Sequence, residues 1–200
     1  TGNQLTANTL ANDTARPEDE LVWYDDFADV SLWKPQPAWL ANPSEVAVLA
    51  SDAGVAAFRV DQPLQGMKWS RDLPPISLAE TPWLVIRYRA ENLNQQHGDY
   101  LIYLRDGNAK RQLSPWTPKD LVVDGAGHVA AVDVSALTDR SAVDQIAVQV
   151  QAGPAGAARL SLDWIGFSDA PPPDAAILGR REVAPAPADW VAPLPSAVWT

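Results

Sequence analysis

Strict two-residue alternation runs through most of the chain and leaves it few folds to choose from. Leu84, Ile86 and Tyr88 alternate with Val85, Arg87 and Arg89, and Tyr100, Ile102 and Leu104 alternate with Leu101, Tyr103 and Arg105. Ile146, Val148 and Val150 alternate with Ala147, Gln149 and Gln151, and Leu160, Leu162 and Trp164 alternate with Ser161 and Asp163. An extended chain sends successive side chains to opposite faces, so each run predicts a strand with one buried face. Val22–Phe27, Val46–Ala50, Val55–Val60, Met67–Arg71 and His128–Val134 are further strand candidates. Turn signals separate them at Asp52-Ala53-Gly54, Asp106-Gly107-Asn108 and Asp124-Gly125. No stretch sustains a helical period. About nine strands punctuated by turns predict an all-β fold, an antiparallel β-sandwich of the jelly-roll kind.

The ends read differently. Residues 1–20 are polar and aperiodic, which predicts a flexible leader ahead of a sandwich module over 21–169. From 170 to 200 proline and alanine dominate, beginning at Pro171-Pro172-Pro173, which predicts an extended linker or docking tail. Trp190 and Trp199 in that tail could dock back onto the body.

Nine tryptophans and eighteen prolines stand out among the 200 residues. Tryptophan suits cores and binding platforms alike, and the core has the better prior for any one of them. The net charge of −10 argues against a nucleic-acid partner, since the arginines are scattered rather than clustered. No apolar run is long enough to span a membrane, and the absence of cysteine rules out thiol catalysis and disulfides.

Catalytic signatures are missing. The chain has no G-x-S-x-G elbow and only two histidines, His97 and His128, without metal-ligand spacing. Glu18-Asp19-Glu20 lies in the leader, and Glu45, Glu80 and Glu91 stand singly, so no strand presents paired carboxylates for glycoside hydrolysis. Asp163, within an otherwise apolar strand, needs a partner because an unpaired buried carboxylate is costly. A hard cation such as calcium, or an arginine or backbone N–H, would satisfy it.

The segment order resembles the galactose-binding-like jelly roll of carbohydrate-binding modules attached to polysaccharide-degrading enzymes. The likeness is carried by Val22-Trp-Tyr-Asp-Asp-Phe27 with Trp33, by Gly66-Met-Lys-Trp-Ser-Arg71, by Pro82-Trp-Leu-Val-Ile-Arg-Tyr-Arg89 and Asp99-Tyr-Leu-Ile-Tyr-Leu-Arg-Asp106, and by the closing pair Ile146–Gln151 and Leu160–Phe167. It covers Glu20 to Asp169. The resemblance implies a secreted, non-catalytic binding domain for a polysaccharide or oligosaccharide, adjacent to a catalytic domain. It also implies a structural calcium on Asp163 with Asp25 or Asp26. The outward residues Arg87, Arg89, Tyr103, Arg105 and Gln149 would form a flat polar ligand face if their strands are neighbours. Trp116, flanked by Pro115 and Pro118, is expected in a loop as an exposed stacking platform. Alternatives are a structural domain packed against a catalytic one, or a jelly-roll lyase or hydrolase with dispersed catalytic groups.

Overall fold

In a computed structural model, which describes residues 21–52, 54–96, 101–107, 112–137 and 142–182, twelve strands form two facing sheets. The chain runs β1 (Leu21–Asp25), β2 (Lys34–Pro35), β3 (Val48–Asp52), β4 (Val55–Val60), β5 (Gly66–Ser77) and β6 (Trp83–Glu91). It continues as β7 (Ile102–Asp106), β8 (Gln112–Trp116), β9 (His128–Ala136), β10 (Ala142–Gln151), β11 (Ala158–Ser168) and β12 (Ala176–Glu182). The seven-stranded sheet has the order β12-β9-β6-β11-β4-β3, with β1 also paired to β11. The five-stranded sheet has the order β2-β5-β10-β7-β8. From β4 to β7 and again from β8 to β11 the chain switches sheet at every strand, as a jelly-roll sandwich requires.

Alternation puts the apolar half of each strand between the sheets. Phe58, Leu84, Ile86, Leu160, Leu162, Ile165 and Phe167 face Trp69, Ile102, Leu104, Trp116, Ile146 and Val148 across one continuous core. Phe58 meets Trp69 edge-on at 5.4 Å between ring centres and also contacts Phe27 and Trp33, so aromatic packing bridges the layers. The register of β11 slips between Leu162 and Trp164. Before the slip its free edge takes β4, and after it the same edge takes β1.

Three strands escaped the sequence pattern. β2 has two residues, one of them proline, and β8 contains Pro115. Both are edge strands, where a missing N–H disrupts no inner ladder. β12 lies in the stretch expected to be a spacer or docking tail, and it pairs with β9 in parallel. The leader, His97, Trp190 and Trp199 lie outside the described residues.

Gly166 marks the tightest approach between β1 and β11. A Cβ there would stand 2.7 Å from the Trp23 carbonyl oxygen and 2.9 Å from a Leu21 methyl. Gly166→Ala should therefore push β1 outward and destabilise the fold by about 1–3 kcal/mol. Thermal unfolding checks this, and an unchanged melting temperature would show that β1 contributes nothing to the sandwich.

Candidate functional site

The polar residues of β5, β10 and β7 lie in three rows across the outer side of the five-stranded sheet. Asp72, Gln145 and Arg105 are register partners in one row, and Ser70, Ala147 and Tyr103 in the next. Lys68 and Gln149 start the third. The amide and phenol groups are cross-linked: Tyr103 donates its hydroxyl hydrogen to Gln149 Oε1 at 2.8 Å, and Gln36 Nε2 donates to Ser70 Oγ at 3.0 Å. Gln36 reaches the face because its backbone N–H pairs with the Lys68 carbonyl at 2.7 Å, continuing the edge begun by β2. The next residues form a single 3₁₀ turn, Pro37–Trp39, which holds the partly exposed Trp39 ring beside the sheet.

Charge is distributed unevenly over this face. At one end Arg105 Nε pairs with Asp144 Oδ1 at 2.7 Å, and its Nη2 lies 3.7 Å from Asp72 Oδ1. Gln145 Nε2 also donates to Asp72, at 2.8 Å. At the other end Lys68 is only 3% exposed, and among the described residues no carboxylate pairs with it. Its Nζ lies 3.7 Å from the centre of the Tyr103 ring and 5.4 Å from that of Trp39. The ring faces compensate part of the lost hydration. Burial nevertheless pushes the ammonium down to about 8.

Of the expected ligand face, Tyr103, Arg105 and Gln149 do come together. Arg87 and Arg89 do not join them, because β6 belongs to the seven-stranded sheet and turns them outward on the opposite side of the molecule. There Arg87 Nε pairs with Asp163 Oδ2 at 3.1 Å, and Arg89 Nη1 lies 3.9 Å from Asp163 Oδ1. Trp116 also corrects expectation. Pro115 sits in edge strand β8 without breaking it, and a register shift between the Leu104–Leu113 and Ile102–Trp116 pairs turns Trp116 inward opposite Ile102, where it is 0% exposed.

The expected calcium ligands do not fit a cation. Asp25 accepts from Trp33 Nε1 at 2.7 Å, from the Phe27 N–H at 2.8 Å, and from Arg71. Asp26 accepts from the Ala28 N–H at 3.1 Å, and Asp163 is engaged by arginine. Among the described residues no three acidic or histidine side chains converge. At Asp163 arginine thus pairs with Oδ2, while the buried Oδ1 has no hydrogen-bond donor among the described residues. His128 Nε2, at the start of β9, lies 2.9 Å from Asp124 Oδ1 in the preceding loop, a pairing that, with the Ala126 N–H, holds the Asp124 carboxyl below its ordinary pKa.

Lys68, Trp39 and Gln36 were not singled out from the sequence. Alternation in Met67-Lys68-Trp69-Ser70 does place Lys68 opposite two core residues. Nothing local to the sequence brings Trp39 or Tyr103 beside it.

The chain matches no protein-family profile and no curated protein. Among solved structures it is similar to PfGH50B, at a TM-score of 0.44 and 10% identity over 72% of this chain and 23% of that one. It is also similar to an exo-1,3/1,4-β-glucanase from a Pseudoalteromonas species, at a TM-score of 0.36 and 16% identity over 68% of this chain and 18% of that one. The chain thus spans less than a quarter of the length of either protein. No helix among the described residues is long and apolar enough to cross a membrane.

Two outcomes follow from the charge arrangement. Asp163→Ala removes its partly exposed ion pairs with Arg87 and Arg89 and should cost up to about 1 kcal/mol, read as a slightly lower melting temperature, while a calcium chelator leaves the wild type unchanged. A chelator-induced loss of stability would restore the calcium reading. Lys68 is charged in the unfolded chain up to its ordinary pKa of 10.5, but in the fold only up to about 8. Its burial therefore opposes folding most below pH 8, and that opposition fades as the pH rises toward 10.5. Lys68→Met should be more stable than the wild type by roughly 1–3 kcal/mol near neutrality, with the gap closing in alkali. Denaturant titrations across this range check the trend, and a gap that is independent of pH would exclude the ammonium as its source.

Proposed function

We propose that this chain is a non-catalytic carbohydrate-binding module, working beside a catalytic domain within a larger secreted polysaccharide-degrading enzyme. Its ligand face is the outer side of the five-stranded sheet. The observation that carries this reading is the partly exposed Trp39 ring at the border of a sheet face where Gln36, Arg105 and Gln145 reach the surface beside the buried Ser70 and Gln149. Sugars present just these two chemistries. A pyranose has an apolar C–H face that stacks on an aromatic ring, and a rim of hydroxyls that exchange hydrogen bonds with amides and guanidinium groups.

The same face is poorly equipped for hydrolysis, which supports a binding role. Its carboxylates, Asp72 and Asp144, share the single Arg105 guanidinium rather than standing apart across a cleft, as a pair of hydrolytic carboxylates would. Binding on such a face replaces water hydrogen bonds nearly one for one, and the net gain per bond is small. Weak, enthalpy-driven association follows.

A second reading, a structural domain seated against its catalytic neighbour, draws on Val46 and Val48. These are 54% and 45% exposed at and just before edge strand β3. It predicts no intrinsic sugar affinity.

Isothermal calorimetry against a panel of neutral and acidic oligosaccharides separates the two. Trp39→Ala should weaken sugar binding about tenfold, corresponding to roughly 1–1.5 kcal/mol of ring contact. Arg87→Ala, on the opposite sheet, should leave the affinity unchanged. An absence of binding across the panel, or an equal loss in both variants, would give first place to the docking domain.

A further inference from the structure

Carbohydrate recognition by the five-stranded face, on which this inference rests, leaves the chemistry of the sugar open, and Lys68 narrows it. A lysine 3% exposed on a sheet face normally has a carboxylate against it, because burying a lone ammonium is costly. The nearest acids on its own and neighbouring strands are already taken. Asp72, four residues along β5 and so roughly 13 Å away by strand rise, is bonded to Gln145 and Arg105, and Asp144 is paired with Arg105. Among the described residues, the groups that face Lys68 are the Tyr103 and Trp39 rings and the neutral Gln149 amide. From β2 the nearest charge is another cation, Lys34, whose Nζ donates to the Ser31 carbonyl at 2.6 Å.

We propose that Lys68 is an anion-capture group, and that the ligand of this face is an acidic glycan whose carboxylate or sulfate pairs with the lysine while a sugar ring packs on Trp39. The ammonium, without a carboxylate among the described residues, and the ring stand within one ligand unit of each other, since Nζ is 5.4 Å from the centre of Trp39. Lysine has a flexible four-carbon stem, so its tip can turn outward from between the rings to meet an anion. The incoming charge offsets the cost that burial imposes on the empty site. Because the free ammonium titrates at about 8, anion binding takes up a proton above that pH and weakens as the pH rises further.

Calorimetry with an oligogalacturonate, its methyl-esterified form and a sulfated oligogalactan with its unsulfated parent tests this. The wild type should prefer the acid over the ester, or the sulfated over the unsulfated chain, by about tenfold near pH 6.5, and lose that preference near pH 9.5. Which pair shows the preference tells carboxylate from sulfate. Lys68→Met, its fold checked by circular dichroism, should show no preference for charge. Lys68→Arg should restore the preference and keep it at pH 9.5, because guanidinium does not titrate there. Equal binding of charged and neutral sugars by the wild type, or a preference that survives Lys68→Met, overturns the role of Lys68 and leaves carbohydrate binding standing. Failure of the wild type to bind any of these sugars, charged or neutral, overturns both.

Discussion

The carboxylate of Asp25 is the tie on which the rest of the arrangement depends. It belongs to β1 in the seven-stranded sheet and is only 5% exposed, yet its partners come from across the molecule. Arg71 reaches it from β5 of the opposite sheet, the Trp33 indole N–H from the following turn, and the Phe27 N–H from its own loop. A buried carboxylate without these donors would be strongly unfavourable, so all three segments are held in one geometry. The Arg71 guanidinium also lies 5.5 Å from the centre of the Trp23 ring, and Trp33 packs into the aromatic group around Phe58. Electrostatics and core packing thus fix the same strand in the same register.

That register decides what the outer face can be. Arg71, Trp69 and Met67 point inward along β5, which obliges Ser70 and Lys68 to point outward. A slip of one residue would drive an ammonium into the core and expose a tryptophan. β5 then sets β10 through nine paired positions, and β10 sets β7, so the row that joins Lys68 to Gln149 is inherited from the core side of the sheet.

Elsewhere the fold closes its charges on themselves. Arg87 and Arg89 embrace Asp163, Arg105 joins Asp144 and Asp72, and Arg181 pairs with Asp120 at 2.7 Å. Such partly exposed pairs contribute little stability, and each of these cations has a carboxylate beside it, though Asp163 Oδ1 itself accepts no hydrogen bond from the described residues. Lys68 is different in kind: it is more deeply buried than any of these arginines, and aromatic faces stand where a carboxylate would be expected. The contrast between these satisfied pairs and a buried cation with no carboxylate among the described residues separates a site from a surface here.

The sequence alone determined which residues share a strand face, because the two-residue period belongs to the extended backbone and needs no partner to express it. Nine of the strands, the inward set of Leu84, Ile86, Ile146, Val148, Leu160 and Leu162, and the outward set of Arg87, Tyr103 and Gln149 were legible on that basis. β2 and β8 were obscured by proline at sheet edges, and β12 by the proline run before it. Trp116 was misplaced because proline was read as ending a strand that only needed to be an edge. Which outward residues meet was decided by tertiary structure. Arg87 and Tyr103 have the same local pattern, yet β6 enters one sheet and β7 the other, so they end on opposite sides of the protein. Lys68, Trp39 and Tyr103 have no common pattern, yet pairing of β5, β10 and β7 and the turn after β2 bring them within ring contact. Strand pairing is a competition among long-range hydrogen-bond ladders and core contacts, and no short window of sequence carries its outcome.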